Sequence, residues 1–470
     1  MYDSVWSQGL PPLSSALVQQ AQAHLVEIPF PETMPRAVQE PDEARPVAKS
    51  GRGAPQQITW PHLWLGLLWS VLLGMENYQD LRRTVAREQL GSFGPVKLTS
   101  SALVKRLVQA GVPPLQQLFV LLSHWVAQRL TPTVVATTLA SFATHIVALD
   151  ETTLDALSRH LSWQRVLPKG HAALLPGKLA GLFDIRQQCW LTLQFRPEAQ
   201  QNCKVDVISL LEGLPWRSLI LFDLGYFSFA WFDYLTSMGY WWISRLREKT
   251  SYQLIHVYYR HHEILDALVW LGSKHGPHAG RAVRLVRFGD GKELRCYLSN
   301  VLDPRQLSME DIARLSARRW DIELAFLTLK DYLNLHHWWS SKLVLVLQQI
   351  WAVLIIAHLL QSLRLEIAAQ AGVDPFDVSL PLLVKYVPRW ILRKQSVIDE
   401  VLTHGRDLGF IRPSSRLQVQ VPCIPDEALI PAPADLILLR HARYVEYAPR
   451  PPRPSYNKKK RAKQKSSPSP

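Results

Sequence analysis

The chain has 470 residues, of which 47% are hydrophobic, and a formal net charge of +14. That length allows two or three domains with a sizeable core, and the charge favours an anionic partner, nucleic acid before a membrane surface. Cys189, Cys203, Cys296 and Cys423 are scattered with no CxxC pair, which excludes a disulfide framework and a Cys-rich zinc site and suits a reducing cytoplasm.

Part of the charge is local. Eight Lys or Arg and no acid lie between Arg450 and Pro470, and taking eight from +14 leaves +6 for the remainder. The N-terminus lacks the basic-then-apolar pattern of a signal peptide. "LVLVLQQIWAVLIIAHLL", Leu343 to Leu360, has the length of a membrane span, but Gln348, Gln349 and His358 interrupt it. That pattern predicts a buried core helix, and no membrane partner is expected.

Residues 1–58 predict a flexible arm, because "PFPETMPRAVQEPDEARPVAKSGRGAP" is rich in Pro and charge and poor in core residues. Residues 59–144 predict helices. "HLWLGLLWSVLLGMENYQDLRRTVA" and "TSSALVKRLVQAG" have helical apolar spacing, with Thr99 or Ser100 as an N-cap. Between 145 and 250 the texture changes. "THIVALDETTLDAL" is an apolar run ending in an acid, "KLAGLFDI" and "CWLTLQF" form a hairpin around "RQQ", and "CKVDVISLLEGL" reads as a helix. "SLILFDLGYF" is a buried strand ending in Asp223, "WFDYLTSMGY" a helix and "WWISRLRE" a further strand. This order predicts an α/β class, a mixed sheet with flanking helices. Residues 251–306 predict a β-rich insertion, with "RAVRLVRFGDGKELRCYLSN" as a hairpin around Gly289-Asp290-Gly291. Helix returns over 307–372, where Ser308 and Asp311 have capping-box spacing. Residues 373–449 predict a C-terminal helical region, and 450–470 a disordered basic tail.

"RRWDIELAFLTLKDYL", Arg318 to Leu333, predicts a helix apolar nearly all round. At roughly 100° per residue, Arg319, Glu323 and Lys330 share one narrow stripe, with Asp321 and Thr328 opposite. A buried charged stripe requires a partner.

Three carboxylates stand out by position. Asp150 and Asp223 follow apolar strands, where a sheet presents residues at its carboxyl edge, and Glu323 lies on the apolar helix. A hard divalent cation takes oxygen ligands, and two such ions can drive phosphodiester cleavage. In a basic chain this points to DNA or RNA as substrate, with Arg319 and Lys330 on phosphates. Each residue also has an ordinary reading. An acid after a strand is a common turn former, Arg319 and Glu323 could be a plain i,i+4 pair, and Glu151 could replace Asp150 as ligand. The Trp241-Trp242 and Trp338-Trp339 pairs and Trp270 read as packing residues.

The combination resembles the DDE-type insertion-sequence transposases, specifically the cut-and-paste insertion-sequence-four family and its Tyr-Arg-Glu-Lys subgroup. "LDETTL" is similar to the first motif (Asp150, Thr152), and "LFDLGYFSF" to the second, Asp-x-Gly-Tyr (Asp223, Gly225, Tyr226). "YLSNVLDPRQLSMEDIARLSARRWDIELAFLTLK" resembles the third, where Arg319, Glu323 and Lys330 match in spacing and Ser316 replaces the Tyr. The resemblance covers about Trp60 to Gly372. It implies an RNase H-like core interrupted by the β insertion. It also implies two Mg²⁺ (or Mn²⁺) ions on Asp150, Asp223 and Glu323, the catalytic and metal-ligating set. Arg319 and Lys330 would contact end phosphates, with Ser316 (through a water), Tyr226 or Trp320 standing in for the missing Tyr contact. Residues 59–144 would bind transposon ends. The implied partners are transposon-end and target DNA and a second copy in a homodimeric synaptic complex, in a prokaryotic, nucleoid-associated cytoplasmic setting. A catalytically inactive, transposase-derived DNA-binding protein and a simple metal nuclease are the other classes open to this sequence.

Overall fold

The structure is a computed structural model that describes residues 58–129, 139–154, 177–196, 202–204, 207–289, 294–340, 342–413, 421 and 423–444. The expected arm up to residue 57, the tail from 450 and the Asp290-Gly291 turn lie outside the described residues.

The described residues open with helices α1 (Trp60–Leu72), α2 (Tyr78–Arg87), α3 (Ser100–Ala110) and α4 (Pro113–Arg129). The expected Thr99 N-cap forms, its hydroxyl accepting from the Ala102 amide. Strands β1 (Ile146–Leu154), β2 (Gly177–Asp184) and β3 (Cys189–Arg196) follow. Among the described residues of the segment "CKVDVISLLEGL", only α5 (Val207–Leu210) is helical. Then come β4 (Leu219–Phe222), α6 (Phe229–Ser237), β5 (Trp241–Arg245), β6 (Tyr252–His261), β7 (Ile264–Leu271), β8 (Val283–Phe288) and β9 (Arg295–Ser299). The last block contains α7 (Met309–Arg318), α8 (Asp321–Leu327), α9 (Leu343–Ala371), α10 (Leu380–Leu392) and α11 (Val397–His404).

The described strands form one mixed sheet, ordered β3-β2-β1-β4-β5-β9-β8-β7-β6. β1, β4 and β5 are parallel neighbours, and the other pairings are antiparallel. The expected α/β class with flanking helices is therefore present. The β-rich segment extends the same sheet: β9 pairs with β5, and β8, β7 and β6 follow outward. Its outer strands are held by a buried, bidentate Arg284–Asp266 pair at 2.6 and 2.7 Å.

Side chains alternate across the sheet. One face buries Ile146, Ala148, Leu219, Leu221 and Ile243, the other Val147, Leu149, Ile220, Phe222 and Trp242. The first face carries the large helical core built around α9. As expected from its interrupted apolar run, α9 is a core helix, with 83% of its most apolar window buried in the protein. Gln348 donates to the Leu107 and Gly111 carbonyls, and Gln349 bridges Trp339 and His337. These bonds satisfy the Gln349 amide and the Gln348 NH₂ group, and leave the buried Gln348 Oε1 without a partner among the described residues. The tryptophan pairs pack as expected: Trp242 is buried, Trp241 meets Phe142 edge-on, and Trp339 meets Tyr78 edge-on. Trp270 is half-buried beneath the Arg440 guanidinium.

The segment 318–333 departs from the single helix that its apolar content predicts. α7 ends at Arg318, α8 begins at Asp321, and Thr328–Tyr332 is a π-helical turn closed by the Leu333 amide on the Thr328 carbonyl. Nor is it apolar outside and buried all round. Trp320 is 55% and Leu324 40% exposed, whereas Asp321 and Thr328 are buried. The cause is a polar anchor. The Asp321 carboxylate accepts from Gln188 (2.7 Å) and from Arg318 (3.2 Å), which also donates to the Ile185 carbonyl. This network ties the start of α8 to the β2–β3 turn and rotates the Trp320 side outward.

Candidate active site

Two acids meet by strand register. β1 and β4 run parallel with Leu149 opposite Phe222, the last pair of the ladder. Asp150 and Asp223 are the next residue on each strand, so they stand side by side, one inter-strand spacing of about 4.8 Å apart. Alternation puts both on the face that α8 covers. β1 does not end at Asp150, as the sequence suggests. It runs four residues further, paired only with β2. Asp150 marks the edge because its partner strand stops there.

A tight turn holds Asp223. It caps the 3₁₀ turn Leu224–Tyr226, accepting from the Gly225 amide at 2.9 Å. A Cβ at Gly225 would lie 2.9 Å from the Asp223 Oδ1 and 3.4 Å from the Cys203 Sγ. Only glycine leaves the carboxylate in place, a physical reason for the Gly of Asp-x-Gly-Tyr.

α8 brings the third acid and a cation. Arg319 Nη2 donates to Glu323 Oε1 at 2.8 Å. Its Nη1 lies 3.5 Å from Asp150 Oδ2, an ion-pair distance without hydrogen-bond alignment. Among the described residues Asp150 accepts one bond, from the Glu151 amide at 2.8 Å. Burial is the main cause that raises its pKa to about 7, and the nearby Asp223 and Glu323 charges add to the rise. The Glu151 amide and Arg319 oppose it. Asp150, Asp223, Glu323 and Arg319 thus sense one another across a single small site.

Lys330 lies on the π turn, where the helical wheel does not apply. Its Nζ donates to the Thr153 carbonyl at 3.2 Å, on the extension of β1 just beyond Asp150. Glu151, the alternative ligand, faces the other side of the sheet and pairs there with the buried Lys178 at 2.7 Å. Tyr226 faces that side too. It is 1% exposed, and its hydroxyl has no hydrogen-bond partner among the described residues. It is therefore removed from direct phosphate contact. Ser316 lies one turn before Arg319, half-buried, with its hydroxyl enclosed and likewise unpaired.

Sequence reasoning missed Arg245. β4 pairs with β5 in the register Leu221↔Ile243 and Phe222↔Ser244. One step further sets the exposed Arg245 beside Asp223, on the face that carries both acids. The signal was present in "WWISR", where Arg245 follows the core residue Ile243 by two, but only the strand order reveals its neighbour. Arg247 and Lys204 brace the Asp223 turn, donating to the carbonyls of Leu224 (2.9 Å) and Phe227 (2.7 Å).

Three carboxylates are the donor type of a hard divalent cation, and gathering them in a half-buried site is unfavourable without positive charge. Among the described residues no three His, Cys, Asp or Glu side chains converge tightly enough to hold an ion. The Arg319 guanidinium stands between Asp150 and Glu323 and supplies the positive charge instead. The residues fit a divalent ion in chemistry, with Arg319 as the group that must yield its place.

No curated protein matches the chain in sequence. Among solved structures, it is similar to the piggyBac transposase in a cryo-EM synaptic complex with hairpin DNA, at 9% identity over 81% of each chain with a TM-score of 0.37. That likeness is too distant to carry an argument about the site. Residues 143–360, which span β1 to the middle of α9 and hold Asp150, Asp223 and Glu323, match the family described as the transposase DDE domain.

Proposed function

We propose that the protein is the DNA transposase of an insertion sequence of the insertion-sequence-four type, acting by a cut-and-paste, hairpin route. The observation that supports it best is the register of β1 and β4, which sets Asp150 beside Asp223 on the face under α8, with Glu323 within electrostatic reach.

In this reading Asp150, Asp223 and Glu323 would hold two Mg²⁺ or Mn²⁺ ions. When bound, the ions supply a Lewis acid that activates the attacking hydroxyl and stabilises the leaving oxygen. Arg319, released from Asp150 and Glu323, turns to the phosphate flanking the scissile bond, and Lys330 and Arg245 hold the strand on either side. Ser316, one turn before Arg319, would add a hydroxyl contact only once its enclosed hydroxyl is uncovered. Water opens one phosphodiester at the transposon end, leaving a 3′-OH and a 5′-phosphate. That 3′-OH attacks the opposite strand and displaces the flanking DNA as the hairpin closes. A second hydrolysis reopens the hairpin, and the freed 3′-OH joins target DNA. Residues 59–144 serve as the end-binding region and 373–449 as the dimer-forming region of a homodimeric synaptic complex. The setting is the nucleoid of a prokaryotic cytoplasm.

The test uses end-labelled DNA carrying the inverted repeats that flank the coding region. With Mg²⁺, the protein should nick at the repeat boundary and then form hairpins, and Asp223→Ala should lower both by at least about a thousandfold. Binding without nicking, unchanged by Asp223→Ala, would identify an inactive DNA-binding protein. Cleavage of unrelated DNA without hairpins would identify a simple nuclease.

A further inference from the structure

Helix α10 (Leu380–Leu392) buries Leu383, Val387, Pro388 and Trp390 and turns Lys385 and Arg389 to solvent, with Arg393 and Lys394 exposed just beyond its end. Lys385, Arg389 and Arg393 follow one another at intervals of four and lie within about 80° of the wheel. The helix contains no acid, and among the described residues no ion pair joins any of these four side chains to a carboxylate. Two of them flank an aromatic ring, with Arg389 5.0 Å and Lys385 5.8 Å from the Tyr386 centroid. Such contacts restrict long cationic side chains without neutralising them. A row of like charges with no counter-ion is self-repulsive, and an anionic partner removes the repulsion.

The row begins beside the catalytic helix. Leu380 and Pro381 line one cavity together with Leu324 of α8 and Tyr332 of the π turn that carries Lys330. Successive charges are separated by about 6 Å along the helix axis. A DNA strand presents a phosphate every ~3.4 Å of its axis, so alternate phosphates recur at ~7 Å. We infer that this face of α10 is a second DNA-docking surface, gripping the backbone of duplex DNA that leaves the catalytic cleft past Lys330. It reads no sequence and supplies positioning and affinity. This inference rests on the proposed DNA-transposing function, yet its test needs no catalysis.

The full-length protein is titrated with a fluorescent duplex of unrelated sequence in EDTA, over about 50 to about 300 mM salt. The variant replaces Lys385, Arg389 and Arg393 with Gln at exposed positions, so its melting temperature should be unchanged. Its affinity at about 0.1 M salt should fall at least about tenfold, and its slope of log affinity against log salt should drop by roughly two to three. Arg389→Lys should retain the slope. A control with Lys274→Gln and Arg305→Gln, exposed basic residues elsewhere, should leave it unchanged. A triple variant that binds like the wild type or like the control overturns the inference. So does one that loses self-association by light scattering while keeping its DNA affinity. If the wild-type protein fails to bind duplex DNA at all, the proposed function itself is overturned.

Discussion

Asp150 keeps its proton up to about pH 7 because it is buried beside Asp223 and Glu323. Its folded pKa lies above the unfolded value of 3.8, so the folded state binds the proton more tightly. The resulting stability is fully present below about pH 4 and is lost as pH rises through 7. Metal-free protein should therefore be less stable at pH 8 than at pH 5, and Asp150→Asn should recover roughly 1–3 kcal/mol at pH 8. The same substitution should abolish both cleavage and the rise in melting temperature that Mg²⁺ produces in the wild type. Scanning calorimetry of the two proteins at both pH values, with and without Mg²⁺, decides the point. A variant less stable than the wild type at pH 8 would show that Asp150 is a structural acid. At this scale the sequence was informative where chemistry is local. Arg319 and Glu323 are one helical turn apart, so spacing revealed that pair, whereas Gly225 beside Asp223 was marked by the resemblance to the Asp-x-Gly-Tyr motif. Arg245 was silent because its proximity to Asp223 depends on which strand pairs with β4.

The elements were less legible where tertiary contacts override local preference. Apolar content suggested one helix from Arg318 to Leu333, but the buried Asp321–Gln188–Arg318 network and the π turn divide it. Neither Gln188 nor the β2–β3 turn is near α8 in sequence, so no periodicity could announce them. β7 (Ile264–Leu271) lies inside the β-rich segment expected over 251–306, although its continuous apolar run does not by itself separate strand from helix. β7 also carries Asp266, whose partner Arg284 donates a further bond to the Leu307 carbonyl, directly before the Ser308 cap of α7. The inserted strands thus clamp the helix that leads to Arg319. Asp266→Asn leaves Arg284 buried and half-paired, and should cost about 3–5 kcal/mol. The double variant Asp266→Leu/Arg284→Met should recover much of that loss. Denaturant unfolding of both proteins would show it, and a single variant within about 0.5 kcal/mol of the wild type would exclude the clamp.

At the scale of the whole molecule, three basic groups bear on the proposed function: the sheet edge with Arg245, Arg319 and Lys330, the face of α10 and the tail from Arg450 onward. The tail contributes eight of the charges behind the net +14, and it lies outside the described residues. Its composition alone supports a role, since clustered Lys and Arg release counterions from any DNA backbone they meet. Deleting residues 450–470 should leave repeat-specific nicking intact at about 50 mM salt and lower it steeply at about 200 mM, where the remaining contacts no longer hold the duplex. Because counterion release adds over independent phosphates, the deletion and the α10 triple substitution should reduce the salt slope by amounts that sum in the combined variant. Anisotropy titrations of the four proteins against one duplex measure this directly. A combined slope no lower than that of the α10 variant alone would mean that the tail adds no grip of its own and acts only through the α10 surface.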